Sequence, residues 1–246
     1  MTAVTFDFAG TSVLVPGGTR GIGLAVAGGF RAAGANVTIT GTRPDPASYD
    51  ADLSGFRYEQ LDLMNPADVA ALDDRLDAVD ILVNNAGANF PGGRSEWEPD
   101  AFADGIALNL ISPFRLTTTL RSRLAASGAG AVVNTASLSA FFGLEMVPAY
   151  GAARAAITQL TKTLAIAWAR HDIRVNAAAP GIIETDMTAP MFARDQLTAP
   201  MRSRTPAGRF GTPADVTDVV MFLASPSARY ITGQTLLVDG GYSIQG

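Results

Sequence analysis

The sequence predicts an α/β fold: a doubly wound, parallel, seven-stranded sheet with helices on both faces, in three α/β/α layers. Three observations predict it. Short β-branched runs alternate with longer alanine-rich stretches along the chain, the pattern of parallel strands joined by right-handed crossovers. Several short runs are continuously apolar, as strands buried on both faces must be. A glycine-rich turn, Pro16-Gly17-Gly18-Thr19-Arg20-Gly21-Ile22-Gly23, stands where the first strand hands over to the first helix.

In order, residues 12–15, 36–40, 57–61, 81–83, 131–134, 174–177 and 235–238 read as strands, and 21–33, 66–77, 100–126, 149–171 and 213–224 as helices. No composition break marks a linker and no repeat is present, so residues 1–246 read as one domain. At this length a domain buries about three quarters of its unfolded surface. Segment 181–211 has no clear period and is rich in proline, methionine and arginine; placed after a sheet strand, it reads as a lid.

Composition narrows the function. Apolar residues make up 48% and charged residues 17% of the chain, a globular balance. No cysteine and a single histidine, His171, leave little for a metal site, a thiol nucleophile or a Ser-His-Asp triad. A net charge of −5 argues against a general nucleic-acid binder. There is no apolar run long enough for a membrane span, and residues 1–10 carry Asp7 and no basic residue, unlike a secretory leader. The expected location is the cytoplasm. His171 is expected to cap a helix C-terminus, and Trp97 and Trp168 to serve packing.

The glycine turn is a phosphate cradle by its context. Glycines let the backbone approach a pyrophosphate, and the following helix aims its N-terminal N–H groups and positive dipole at the anion. Gly17, Thr19, Arg20, Gly21, Ile22 and Gly23 are the candidate contacts. An NAD(H) site usually places an acid at the end of the second strand for the ribose hydroxyls. Here that stretch is Thr40-Gly41-Thr42-Arg43. Arg43, with Arg20 as a second cation, suits a 2′-phosphate, so NADP(H) is the preferred cofactor and NAD(H) the lesser one.

Further signals follow in a telling order. Asn84-Asn85-Ala86-Gly87 ends the fourth strand, and Asn109 lies in the next helix. Ser137 follows the fifth strand and stands thirteen residues before Tyr150, and Pro180-Gly181 ends the sixth strand with Thr185 just beyond. The ordered set resembles the short-chain dehydrogenase/reductase family over essentially the whole chain, down to Val238-Asp239-Gly240-Gly241. The resemblance implies a Rossmann-like fold and position-by-position roles. Gly17, Gly21 and Gly23 would hold the pyrophosphate. Asp62 and Leu63 would sit at the adenine, and Asn85, Ala86 and Gly87 at its ribose. Pro180, Gly181, Ile183 and Thr185 would hold the nicotinamide. Ser137 would bind the substrate oxygen, Tyr150 would act as general acid and base, and Asn109 would bend its helix and anchor a water chain. The chemistry is self-consistent: hydride transfer to a ketone leaves an alkoxide that needs a hydrogen-bond donor and a proton. A phenol titrates near pH 10, so such work near neutrality calls for a nearby cation.

Two departures stand out. The family's lysine, four residues after the tyrosine, is here Arg154, expected to serve both Tyr150 and the cofactor ribose but unable to lose a proton readily. Pro16 replaces the family's usual threonine, removing a hydroxyl and a backbone donor. A Ser-Tyr-Arg trio also resembles the halohydrin dehalogenases, which use no dinucleotide; those relatives fill the glycine turn with an aromatic, whereas residues 16–23 hold none. A dinucleotide-binding sensor without turnover is a third reading. Phe141, Phe142, Leu144, Met146 and Val147, with Met187, Met191 and Phe192 of the lid, suggest an apolar carbonyl substrate. In the resembled family, long helices like 100–126 and 149–171 pair between subunits, which implies a homodimer or homotetramer.

Overall fold

The predicted strands form at Ser12–Pro16 (β1), Asn36–Gly41 (β2), Arg57–Gln60 (β3), Ile81–Asn84 (β4), Ala131–Thr135 (β5), Arg174–Pro180 (β6) and Thr235–Val238 (β7) in the computed structural model. It describes residues 4–185, 188–192 and 195–245. The strands pair in parallel in the order β3-β2-β1-β4-β5-β6-β7, with Val13 facing Val37 on one side and Ile81 on the other. Strand order therefore reverses direction between β1 and β4, where a crevice opens at the carboxyl ends of the strands.

The helices are Gly21–Ala32 (α1), Pro66–Arg75 (α2), Pro99–Ile106 (α3), Ser112–Thr119 (α4), Arg121–Ala126 (α5), Pro148–Trp168 (α6), Ala189–Phe192 (α7), Asp195–Arg204 (α8) and Pro213–Ala224 (α9). Strand side chains alternate between two cores. Val13, Val15, Ile81 and Val83 pack with Val26 and Phe30 of α1 and Val216 and Val220 of α9. Leu14, Leu82 and Val132 pack on the other face with Leu72 of α2, Leu116 of α4 and Leu164 and Trp168 of α6. The pleat that sends successive residues to opposite faces produces these three layers.

A buried amide chain ties α4 and α6 to the sheet. Asn84 Nδ2 donates to Thr117 Oγ1 (2.7 Å) and Asn134 Oδ1 (2.8 Å), and Asn134 Nδ2 donates to Thr161 Oγ1 (2.9 Å). At the base of the sheet, Arg174 donates to Leu223 O (2.7 Å) and Ala224 O (2.9 Å), capping the end of α9. Burial pulls that guanidinium below its usual pKa.

The structure corrects four expectations. Residues 100–126 are not one helix: a π turn, Ala107–Ile111, separates α3 from α4, and Leu120 breaks α4 from α5. Pro113 explains the first break, since it has no N–H and its ring crowds the preceding turn; Ser112 N–H and Ser112 Oγ (2.9 Å) both donate to Ala107 O. Segment 181–211 carries α7 and α8, so it is partly helical; Met187 lies outside the described residues. Trp97 is 69% exposed and not a packing residue. His171 sits in a tight turn after α6 and accepts from Arg170 Nε (3.3 Å) without capping a carbonyl among the described residues. No helix among the described residues is long and apolar enough to cross a membrane.

Candidate active site and cofactor cleft

The candidate residues gather at the carboxyl ends of β1, β2, β4, β5 and β6, around the switch point between β1 and β4. The turn after β1 is tight. Gly17 has φ +69°, and a Cβ on Gly23 would lie 2.2 Å from Gly17 O, so only glycine fits both places. Asn85 Nδ2 donates to Gly17 O (3.1 Å), which places the asparagine on the phosphate turn. Its amide thus braces the turn from the end of β4. Arg20, at the N-cap of α1, makes no side-chain cap, and the first turn of α1 holds no acid. The N–H groups and dipole at this helix end are therefore left for an outside anion. The cradle fits a pyrophosphate.

The nicotinamide candidates close the other side. Pro180 ends β6, and Gly181 N–H bonds Val238 O (3.0 Å). Ile183 is buried and bridges to Gly211. Thr185 lies across from the phosphate turn: a Cβ on Gly21 would stand 3.7 Å from Thr185 Cβ. Thr185 N–H donates to Thr188 Oγ1 (2.9 Å), which orders the chain just before α7.

The catalytic candidates converge on Arg154, which is only 3% exposed. Its Cζ lies 4.8 Å from the Tyr150 ring centroid. Nη1 donates to Thr135 O (2.8 Å) and Nη2 to Asn109 Oδ1 (3.2 Å), while Nε has no hydrogen-bond partner among the described residues. Asn109, in the π turn, also donates to Ala88 O (2.8 Å) and Gly105 O (2.9 Å) and accepts from Ala88 N–H (3.2 Å). Gly87 makes room for this cluster, because a Cβ there would lie 2.1 Å from Arg154 Nη2. The guanidinium is thus a plug stacked on the tyrosine and tied to the backbone of β5. Ser137, following β5, accepts from Ser139 N–H at Oγ (3.2 Å), which leaves its own O–H hydrogen to donate elsewhere.

At the end of β2, Arg43 is exposed and lies with Cζ 4.8 Å from the centroid of Tyr49. Asp62 is exposed and uses Oδ1 on Met64 N–H (2.9 Å), whereas Leu63 is buried.

A family model described as enoyl-(acyl carrier protein) reductase matches residues 17–243. A tropinone reductase homolog of Arabidopsis thaliana is 33% identical over 98% of this chain and 95% of its own length. The gluconate 5-dehydrogenase of Gluconobacter oxydans is 31% identical over 97% of this chain and 97% of its own. The crystal structure of a Burkholderia cenocepacia gluconate 5-dehydrogenase, in complex with NADP and tartrate, superposes with a TM-score of 0.89 at 32% identity and 97% coverage of each chain. The chain belongs to the short-chain dehydrogenase/reductase family. As a member, it is an NAD(P)-dependent oxidoreductase of an alcohol/ketone pair.

Within this short-chain dehydrogenase/reductase two residues, one at each end of the cleft, escape sequence reasoning. Glu96 is fully buried, and its carboxylate accepts from Phe90 N–H (3.0 Å) and Tyr150 N–H (2.9 Å). Val147 supplies no side-chain cap to α6, so Glu96 satisfies one of its free N–H groups from another loop and favours the positive end of the helix. Flanked by Ser95 and Trp97, it reads in sequence as a solvated loop acid. Trp97 Nε1 donates to Glu145 O (2.9 Å), joining the same loop to the segment before α6. The second residue is Tyr49, which lies against the end of β2: a Cβ on Gly41 would stand 2.3 Å from Tyr49 Oη.

Proposed function

We propose that this chain is an NADP(H)-preferring carbonyl reductase/alcohol dehydrogenase, folded as one domain over residues 1–246, acting on a small ketone or secondary alcohol with an apolar portion. The observation that carries the catalytic reading is the buried Arg154 guanidinium stacked on Tyr150 and tied to Asn109 and Thr135 O. Gly17, Thr19, Arg20, Gly21, Ile22 and Gly23 would hold the pyrophosphate; Arg43, Asp62, Leu63, Asn85, Ala86 and Gly87 the adenosine; and Pro180, Gly181, Ile183 and Thr185 the nicotinamide. Bound there, the nicotinamide supplies or accepts the hydride. Ser137 donates its free O–H hydrogen to the substrate oxygen. Tyr150 gives its Oη proton to that oxygen in reduction and takes it back in oxidation. Arg154 keeps positive charge under the ring without releasing a proton, and Asn109 fixes the arginine.

Apolar character of the substrate is supported by Phe142, packed edge-on against Tyr242 at 6.3 Å, and by Phe192 of the lid against Phe210 at 5.0 Å. Exposed Ile111 and Phe114 beside α4 and Ile166 of α6 support a homodimer or homotetramer. Cytoplasmic residence is the location we propose.

A spectrophotometric screen with NADPH and NADH against ketones, diketones, sugar acids and acyl thioesters tests this reading. Turnover of hydrophobic ketones, abolished in Tyr150→Phe, is the expected result. Because Arg154 also suits epoxide-forming dehalogenation, calorimetry with both nucleotides runs beside a halide-release assay on a vicinal haloalcohol. Halide release with neither nucleotide bound overturns the reductase assignment, and binding of a nucleotide with turnover of no carbonyl leaves a sensor.

A further inference from the structure

We propose that Tyr49 is a specificity-determining residue, building with Arg43 a preordered subsite for the 2′-phosphate of the dinucleotide; this rests on the NADP(H) reading above. The loop after β2 contains Pro44 and Pro46 and folds into a short turn, Pro46–Ser48. Asp45 caps it by accepting from Ala47 N–H (2.8 Å), and Ser48 Oγ donates back to Asp45 O (2.6 Å). The turn returns Tyr49 to the end of β2, where a Cβ on Gly41 would lie 2.3 Å from Tyr49 Oη and 2.8 Å from Thr19 Cγ2. The phenol is thus wedged between the strand end and the phosphate turn.

From there Tyr49 controls Arg43. Its Oη accepts from Arg43 N–H (3.0 Å), while Tyr58 Oη donates to Arg43 O, so tyrosine hydroxyls hold both backbone polar groups of the arginine. The guanidinium lies on the Tyr49 ring, and Nη1 bonds Ser48 O. Nε and Nη2 have no protein partner among the described residues. A free surface arginine samples many rotamers and loses that freedom when it binds an anion. Here the order precedes the ligand, and two unpaired donors remain for a bidentate oxyanion contact.

Calorimetry on the full chain, with adenosine 2′,5′-bisphosphate and with 5′-ADP as probes, separates this from loop packing. Wild type should bind the 2′,5′-bisphosphate about tenfold or more tightly than ADP. Tyr49→Ala should lower that ratio roughly three- to tenfold, with ADP affinity held within about twofold, as loss of a cation–π contact and of preordering requires. Tyr49→Phe, which keeps the ring, should retain most of the ratio. If Tyr49→Ala weakens both probes equally, the residue only packs the loop and the inference fails. If Arg43→Ala collapses the ratio and Tyr49→Ala leaves it unchanged, the inference fails and the NADP(H) reading stands. If wild type prefers ADP, or Arg43→Ala changes nothing, the NADP(H) reading fails and the inference with it.

Discussion

The two ends of the cleft are each built on an arginine lying 4.8 Å from a tyrosine ring, Arg154 over Tyr150 and Arg43 over Tyr49. Their surroundings differ. Arg154 is buried and bonded to Thr135 O and to Asn109; Arg43 is exposed, with one bond to a loop carbonyl. The same stacked pair therefore does two kinds of work. In a dry site a charge beside a reacting group acts strongly and cannot be replaced by solvent. At the rim, water screens the charge, and what the pair contributes is choice between ligands.

The comparison predicts its largest effect at Arg154. Arg154→Met should lower kcat by about 100-fold or more, since general acid–base catalysis of this kind contributes about 10²–10⁴-fold. It should also lower stability by about 1–3 kcal/mol, because Thr135 O and Asn109 Oδ1 lose a donor in a buried place. Arg154→Lys keeps the charge and should retain turnover to within about tenfold. Steady-state kinetics with a thermal melt reads both quantities. Equal losses in the lysine and methionine variants would mean that shape, and not charge, is what the buried pair supplies.

Next comes the carboxylate that holds the buried end in place. Glu96→Gln keeps size but offers one acceptor where two N–H groups converge, a defect of about 1–3 kcal/mol. We expect kcat to fall roughly tenfold with cofactor KM unchanged, because the start of α6 and Tyr150 shift while the glycine turn does not. A rise in cofactor KM with kcat intact would contradict that placement.

The rim pair should respond in ratio and not in rate. Arg43→Asp should reduce the NADPH-over-NADH preference in kcat/KM roughly ten- to hundredfold, the worth of charge-assisted hydrogen bonds to a phosphate. A wild type that uses NADH tenfold better than NADPH would falsify the assignment of Arg43.

The two ends also differ in how much of them the sequence discloses. The strands and the glycine turn are local patterns, and each appears where its pattern puts it. Arg154 was visible as a substitution, yet its bond to Thr135 O joins residues nineteen apart through the sheet and has no sequence signature. The resemblance implies a bend at Asn109, but its form as a π turn does not show in the apolar periodicity, which an inserted residue leaves nearly intact. Glu96 and Tyr49 were illegible for a common reason: a loop residue's burial depends on what the loop folds against, and composition carries none of that.

The smallest effect is expected at a third arginine, outside the cleft, where the partner is a carboxylate in place of a ring. Arg209 binds Asp215 through two bonds, Nη2 to Oδ1 at 2.7 Å and Nη1 to Oδ2 at 2.8 Å, and Asp215 also accepts from Thr212 N–H (2.7 Å) in the capping box of α9. The Arg209 hydrogen bonds, then the Thr212 N–H, hold the Asp215 carboxyl well below the usual carboxylate range. A carboxylate depressed in the folded state stabilises above its unfolded pKa of about 4, and that contribution fades as pH falls from there toward the folded value. Asp215→Asn should therefore lower Tm at pH 7 by at most about 3 °C, small because the pair is solvent-exposed and screened. The difference from wild type should shrink on acidification below about pH 4. Added salt should shrink it as well, whereas it should leave the effect of Arg154→Met nearly untouched. Paired melts across pH and ionic strength measure this. A pH-independent difference would mean that the ionised Asp215 carboxylate supplies none of the contribution and would remove the exposed ion pair as a control for the buried one.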